Sequence, residues 1–334
     1  MSLSSPLYIC YLDASKAFDR INFWLLFEKL LDRDVPNILV RFLMVWYSTQ
    51  EFVVRWGSTL STSFRVTNGV RQGGIMSPLL FNVYVDGLSD ILNKSNVGCI
   101  MNGTFINHLI YADDTVLIAP SAHALQILLK HCDIYAIDCD IIYNAKKTVC
   151  MCIRPRIMKN HNDPIVILSG NILHYVSSYK YLGVLISSNM KDDPEISNQC
   201  RNLYGRGNII IKNFKQCSDE VKCQLFQSFC TSFYCVSLWS VYTAESLRRM
   251  RVAYNRVFRI LLGLEHKTSM SEAFIIRGLN PFSVIVRKLI VGFRHRLLNS
   301  TNILVRTVID SMFFDNCQLV KGWNKTIFKL RETG

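Results

Sequence analysis

His108-Leu109-Ile110-Tyr111-Ala112-Asp113-Asp114-Thr115-Val116-Leu117-Ile118-Ala119-Pro120 is the stretch whose reading decides the rest. Two adjacent acids interrupt apolar runs rich in Ile, Val, Leu and Tyr, a pattern of two strands joined by a short break. The tip lacks the Asn-Gly or Gly-Gly pair of a tight hairpin, so turn chemistry alone does not account for Asp113 and Asp114. Anionic groups between half-buried strands are costly unless a positive partner meets them. A divalent cation is an economical partner, and an all-oxygen ligand set suits Mg²⁺. For the pair in isolation, a solvated turn carrying two acids is the plainer reading.

Working outward, Leu7-Tyr8-Ile9-Cys10-Tyr11-Leu12-Asp13 reads as a central strand that also ends in an acid. If the two strand systems are neighbours in one sheet, three carboxylates converge at its edge. Such a cluster holds two divalent ions about 3.5–4 Å apart, the arrangement that clamps both oxygens of an in-line phosphoryl displacement. Spacing leaves that adjacency open.

The 334 residues suffice for one large core or two to three smaller ones, and half of them are apolar, which argues against disorder. Charge is unevenly placed. Residues 1–150 carry 12 Lys+Arg against 13 Asp+Glu, whereas residues 151–334 hold the other 26 basic and 12 acidic residues. The surplus of the second half suggests a polyanion partner there. Between Arg248 and Arg306 twelve basic residues face only Glu265 and Glu272, and Arg248, Arg249, Arg251, Arg256 and Arg259 are the densest group. Solvated helix faces are the plainer account of some of them.

The 12 cysteines are scattered with no Cys-x-x-Cys pair, which argues against a zinc ribbon and a disulfide scaffold. Reduced thiols fit a nuclear or cytoplasmic protein. Met1–Pro6 carries no signal-peptide pattern. Cys223–Ala244 has no charge and the length of a membrane span, but its Gln, Ser and Thr content favours a buried helix, and no membrane is expected.

Asn22 is a helix cap, with Trp24, Leu25, Phe27, Leu30 and Leu31 on the apolar side of a helix to about 33. A second helix follows Pro36 to about 50, and residues 52–66 form a hairpin turning at Gly57-Ser58. Ser77-Pro78 reads as N-cap and first turn of a helix to about 92, presenting Leu80, Tyr84 and Leu88. Ser121 opens a helix with the stripe Leu125, Leu128, Leu129, Cys132 and Ala136. Residues 149–153 form a strand, 165–176 a hairpin turning at Gly170-Asn171, and 181–186 a further strand. Asp192-Asp193-Pro194 breaks the chain, and helices follow over about 195–215, 219–242, 245–262, 270–278 and 281–298.

Tyr11-Leu12-Asp13-Ala14-Ser15-Lys16-Ala17-Phe18-Asp19 resembles the first palm motif of reverse transcriptases of non-LTR retrotransposons, the LINE-like or jockey-like elements. Gly69-Val70-Arg71-Gln72-Gly73 with Ser77-Pro78-Leu79-Leu80-Phe81 resembles the second and Tyr111-Ala112-Asp113-Asp114 the third. Asn144-Ala145-Lys146-Lys147-Thr148 resembles the fourth, and Tyr181-Leu182-Gly183 the primer grip. Each motif is weak alone; five in the correct order over residues 7–187 are specific.

The resemblance implies an α+β fold: a right-hand polymerase palm over residues 1–187, an antiparallel sheet with packed helices, then an all-helical, basic, thumb-like region over 188–334. It implies an RNA-directed DNA polymerase that uses Mg²⁺ or Mn²⁺ to extend a DNA primer on an RNA template with dNTPs. Asp13, Asp113 and Asp114 are the implied catalytic and metal-binding acids. Asp19 is read as a structural partner near a helix start. Ala14, Phe18, Arg71, Gln72 and Gly73 are implied on the substrate side, with Phe18 beneath the incoming sugar; an ordinary core phenylalanine is the alternative. Lys147 is implied as general acid to the leaving pyrophosphate, or is a solvated lysine. Tyr181, Leu182 and Gly183 would hold the primer, and Arg248, Arg249, Arg251, Arg256 and Arg259 the duplex. The family has a long fingers segment ahead of the first palm motif, so the resemblance implies an N-terminally truncated chain. A weakened or inactive remnant, acting only as a nucleic-acid-binding or scaffold module, is the alternative function.

Overall fold

The computed structural model describes residues 5–155 and 162–328. The chain divides between Val176 and Ser177 into two compact units.

In the first unit the apolar run Leu7–Asp13 forms β1. Cys10, Tyr11 and Leu12 are buried, as expected of a mid-sheet strand covered on both faces. Then come α1 (Phe23–Leu31), α2 (Asn37–Ser48) and the short strands β2 (Glu51–Phe52), β3 (Arg55–Trp56), β4 (Thr59–Leu60) and β5 (Phe64–Arg65). The helix α3 (Ser77–Lys94) follows, then β6 (Cys99–Met101), β7 (Thr104–Ile106), β8 (His108–Tyr111), β9 (Asp114–Ala119) and α4 (Ala122–Asp138). The unit closes with β10 (Val149–Ile153), β11 (Ile167–Leu168), β12 (Asn171–Ile172) and β13 (His174–Tyr175).

Five strands make one sheet in the order β13-β10-β1-β9-β8, antiparallel except for the β10–β13 pair. The expected stripe of α4 is buried at every position, and Leu80, Tyr84 and Leu88 of α3 join it with Cys10, Leu117 and Cys150 of the sheet in one core. Truncating any of these leucines to alanine costs about 2–5 kcal/mol. A polar seam runs through this core. The Tyr84 hydroxyl donates to the Cys139 carbonyl (2.7 Å), and that of Tyr135 donates to the Tyr84 carbonyl (2.8 Å). Burial pushes the Tyr84 hydroxyl up to about 12, so it stays a donor at every physiological pH.

Three local expectations are corrected here. Asn22 caps α1 as expected, accepting from Trp24 N and Leu25 N. The buried face, however, is Phe23, Leu26, Phe27 and Leu30, while Trp24 is 71% and Leu31 42% exposed. Five consecutive apolar residues fit two stripes equally well, and packing against α2 and α3 selects one. Ser77 is the first residue of α3 rather than its cap; its hydroxyl donates to the Arg71 carbonyl instead. The β11–β12 turn is Ser169-Gly170, one residue earlier than expected, both with positive φ (47° and 76°) as a two-residue hairpin turn requires.

In the second unit, residues 181–186 are not one strand. They span β14 (Ser178–Tyr181), a turn at Leu182-Gly183 with φ of 45° and 83°, and β15 (Val184–Ser187). This hairpin belongs to the helical unit, so the units part before it and not at residue 187. The bond that ties it there is Leu185 N donating to the Glu195 carboxylate (2.9 Å).

The helices are α5 (Asp193–Asn213), α6 (Asp219–Cys230), α7 (Ala244–Leu261), α8 (Met270–Ile276) and α9 (Phe282–Leu298). Two more, α10 (Ile303–Ile309) and α11 (Gln318–Phe328), lie beyond the expected set. Asp192-Asp193-Pro194 opens α5 rather than merely breaking the chain. The Asp192 carboxylate accepts from Ser240 N and Val241 N, both at 2.7 Å, and that of Asp193 from Thr243 N at 3.0 Å. Partial burial pushes the Asp193 carboxyl up, but hydrogen bonds from Ser246 and Thr243 outweigh it and hold it at about 2.

These bonds also explain why the expected helix 219–242 stops at Cys230. Residues 231–243 leave helical geometry, with Cys235 at φ 58°, so that Asp192 can reach two backbone N–H groups and Thr243 can cap α7. Among the described residues no helix is long and apolar enough to cross a membrane. The unit's core is aromatic, with the Phe226, Tyr254, Phe258 and Phe274 rings mutually packed and Trp323 buried in the same cluster, edge-on to Phe293 and Phe314.

Where α5 meets α7, Gly207 faces Val257, and a Cβ there would overlap the valine methyls. Because Val257 is buried and stiff at χ1, Gly207→Ala should destabilise the protein by about 1–3 kcal/mol. Urea denaturation followed by tryptophan fluorescence checks this; a loss below about 0.5 kcal/mol means that the helices part without strain.

Candidate active site

The sheet register answers the question that the sequence left open. β1 and β9 pair antiparallel with Asp13 opposite Asp114, and β8 returns to β9 with Tyr111 opposite Asp114. Opposed residues of an antiparallel pair project on one face, with Cβ atoms about 4.5–5.5 Å apart. Ala112-Asp113 is the whole turn between β8 and β9. Ala112 sits at φ 52° in a conformation that glycine prefers, which costs an L-residue about 1–2 kcal/mol. The acids therefore sit on a tight, strained tip.

Asp13 is half-buried, while Asp113 and Asp114 are exposed. Partial burial pushes the Asp114 carboxyl above its ordinary range, and the charges of Asp113 and Asp13 push the same way. None of the ion pairs among the described residues engages any of the three. The cluster is thus electrostatically open toward a cation.

Backbone bonds fix Asp13 from the other side. Its N–H donates to Thr148 Oγ1 (3.1 Å) and its carbonyl accepts from Asn144 N (2.8 Å), while Ser15 N reaches the Ile142 carbonyl (2.8 Å). The 142–148 loop, carrying the fourth motif, is therefore a clamp on the first. Lys147 on that loop is exposed.

A second loop approaches from the helix side. Gly69 N donates to the Ile21 carbonyl and Val70 N to the Phe18 carbonyl, both at 2.8 Å. Gly69 has φ 89°, and a Cβ there would stand 2.7 Å from the Asp19 carbonyl oxygen, so only glycine fits. Beyond it Arg71 lies over the Phe52 ring (5.0 Å), the Gln72 amide donates to the Asp19 carboxylate (3.4 Å), and Gly73 takes φ 79°. The half-buried Phe18 ring stacks on Phe81 of α3, centroids 4.5 Å apart. A cleft lined by Ala14, Phe81, Asp113, Asp140 and Tyr143, among others, opens beside the acids.

The family profile described as "Reverse transcriptase (RNA-dependent DNA polymerase)" matches residues 2–186. The chain belongs to this family. The expected likeness to non-LTR retrotransposon reverse transcriptases is borne out at that level. The type-1 retrotransposable element R2 Pol polyprotein of Nasonia vitripennis is 29% identical over 189 residues, covering 54% of this chain and 18% of that protein. The RNA-directed DNA polymerase from mobile element jockey of Drosophila funebris is 23% identical over 265 residues, covering 76% of this chain and 28% of that protein. The chain thus spans less than a third of the length of either. Among solved structures, apo telomerase of Candida tropicalis is 13% identical with a TM-score of 0.44, covering 98% of this chain and 52% of that one. The α+β class rests on the reverse transcriptase's own sheet and helices.

Within the first unit Asp13, Asp113 and Asp114 meet at the edge formed by β1 and the β8–β9 tip, Lys147 stands on the loop bonded to Asp13, and Arg71, Gln72 and Gly73 stand on a loop bonded to the Phe18–Ile21 segment. Tyr181, Leu182 and Gly183 stand on the hairpin of the helical unit. The arginine group on α7 is less open than its sequence suggests. Glu245 holds both Arg248 (2.6 Å) and Arg249 (3.4 Å), and Arg259 turns back to the Thr268 carbonyl (3.4 Å). Among the described residues that leaves Arg251 and Arg256 exposed with no carboxylate partner. Sequence reading missed Thr148 as a backbone clamp, although it lies inside the fourth motif. It also missed Gly69 as an obligatory glycine, although Gly69 opens the second.

Among the described residues, no group of three or more His, Cys, Asp or Glu side chains is gathered tightly enough to hold a metal ion by itself. The donor set is all oxygen and uncompensated, as a hard cation requires.

Proposed function

We propose that this chain is the catalytic core of an RNA-directed DNA polymerase that extends a DNA primer on an RNA template from dNTPs. The observation that carries the proposal is the Asp13–Asp114 register with Asp113 on the adjoining two-residue turn. Asp13 and Asp113 are the ligands, with Asp114 as a third acid whose carboxyl is raised first by partial burial and then by the charges of Asp113 and Asp13, which a cation offsets. When bound, Mg²⁺ or Mn²⁺ neutralises charge on the reacting phosphoryl oxygens. The protein's own share is positional. Thr148 and Asn144 fix the Asp13 backbone, and the loop at 69–74 holds the Phe18 segment, so the substrate meets carboxylates and ring at set distances. Lys147, exposed on the clamp loop, is the group proposed to give a proton to the leaving pyrophosphate.

Primer extension on poly(rA) with an oligo(dT) primer tests this. The expected result is dTTP incorporation that depends on Mg²⁺ or Mn²⁺ and stops on chelation. Duplex binding without extension under either metal would select the alternative, a module that binds nucleic acid and has lost its chemistry.

Phe18 gives a sharper test of the sugar contact. Its ring is held by stacking on Phe81 and leaves part of its surface open. Phe18→Ala should admit ribonucleotides, lowering dNTP-over-rNTP selectivity by about tenfold or more, since a filled volume discriminates by about 1–3 kcal/mol. Competitive incorporation of dTTP against UTP measures it. An unchanged ratio would leave Phe18 as a core residue only.

A further inference from the structure

The helical unit contains a groove of about 930 Å³, of whose lining the polymerase reading uses only Gly183. Arg201 and Arg206 of α5, Arg296 of α9, Ser232 and Tyr234 of the break after α6, and Gly183 of the hairpin turn line it, with no carboxylate among the lining residues. Arg201, Arg296 and Tyr234 are exposed. Arg206 donates from Nη1 to Ser232 Oγ (3.0 Å) and from Nε to the Asn202 carbonyl (3.4 Å), which orients the guanidinium and leaves Nη2 for a ligand.

The walls are fixed rather than incidental. Glu195, only 1% exposed, accepts from Leu185 N of the hairpin (2.9 Å) and from the Gln199 amide of α5 (2.6 Å). A buried carboxylate therefore ties the turn at Gly183 to the helix that carries two of the three arginines. Breaking such a link is costly, so the groove keeps its shape.

We propose that this groove binds a single strand of nucleic acid, its phosphates on Arg201, Arg206 and Arg296 and a base against Tyr234. Three guanidiniums without a counter-charge suit phosphate geometry. An exposed aromatic among them is the stacking platform that single-strand binding uses. The volume is that of a site for a few linked groups, about 300–1,000 Å³, enough for a short stretch of one strand. This moves the main phosphate contact off α7, where Glu245 already occupies two arginines. The inference rests on the polymerase reading only in that the chain handles nucleic acid.

The test is fluorescence anisotropy on the full chain with labelled oligo(U) and oligo(dT) across a salt series. Arg201→Ala/Arg296→Ala should weaken binding more than tenfold and flatten the slope of log K against log salt by about 1.4, two phosphates at about 0.7 each. Tyr234→Ala should weaken it about tenfold with the slope unchanged. The exposed Lys212→Ala on the same helix is the control, expected within twofold. All of these side chains are exposed, and circular dichroism verifies the fold. Groove variants that bind like the parent, or poly-glutamate displacing the strand as readily as unlabelled oligo(U), would overturn the proposal. Primer extension separates the two readings. Normal extension with unaltered single-strand binding in the groove variants sinks the groove alone. Loss of strand binding in those variants, from a chain that never extends primers, keeps the groove and sinks the polymerase.

Discussion

Asp13→Asn and Asp113→Asn each reduce primer extension to about one-thousandth of the parent rate or less, in protein that remains folded. A thousandfold is about 4 kcal/mol of transition-state stabilisation, within what metal-borne charge neutralisation supplies. The fold survives because none of the three acids is paired with a cation among the described residues. Removing one charge relieves repulsion rather than leaving a partner stranded. The sign is checkable on the remaining acid. With Asp113 neutral, one of the charges pushing the Asp114 carboxyl up is gone, so its titration should move down toward the ordinary carboxylate range. Carboxyl-resolved NMR titration reads that shift, and denaturation reads the stability. Extension within a few-fold of the parent in a folded Asp113→Asn protein would dismiss the metal-site assignment.

The acids were legible in the sequence because their cost was legible. Charged pairs between Ile- and Val-rich runs have few explanations, and two such runs ending in acids suggest one sheet edge. What spacing alone lacked was adjacency, and the β1–β9 register supplies it. The apolar stripe of α4 and its Ser121 cap were readable for the same reason: Leu125, Leu128, Leu129 and Cys132 repeat at a helical period and nothing competes with it.

The misses fall where local pattern is degenerate or where a distant group decides. Phe23-Trp24-Leu25-Leu26-Phe27 is apolar at every phase, so periodicity could not choose its buried face. Tyr181–Ile186 looks like a strand because only Gly183 marks the turn, and Leu182 accepts a positive φ that its residue type does not advertise. The break after Cys230 is dictated by the Asp192 carboxylate, some fifty positions earlier, taking the N–H groups of Ser240 and Val241. No window of sequence around residue 235 contains that partner. Likewise the arginines of α7 form a charge cluster in the sequence, but Glu245 at helical spacing pairs with two of them and offsets one charge.

Gly69→Ala is expected to cost about 2–3 kcal/mol of stability and to remove primer extension with it. Two separate penalties meet at this position. An L-residue at φ 89° is strained by about 1–3 kcal/mol. Its methyl would also stand 2.7 Å from the Asp19 carbonyl oxygen and 2.8 Å from the carbon, both backbone atoms that no rotamer change can move. Relief requires the 69–74 loop to lift, which breaks the bonds from Gly69 to Ile21 and from Val70 to Phe18. Those bonds join the segment following Asp13 to the loop of Arg71, Gln72 and Gly73, so the substrate side loses its alignment as well as its stability. Gly73→Ala isolates the two effects: at φ 79° it carries the strain, but nothing lies within 4 Å of its Cβ. It should cost about 1 kcal/mol and retain most of the activity. Urea denaturation and primer extension on both variants make the comparison. Equal losses at the two glycines would mean that strain alone matters and that the contact with Asp19 does not hold the site together.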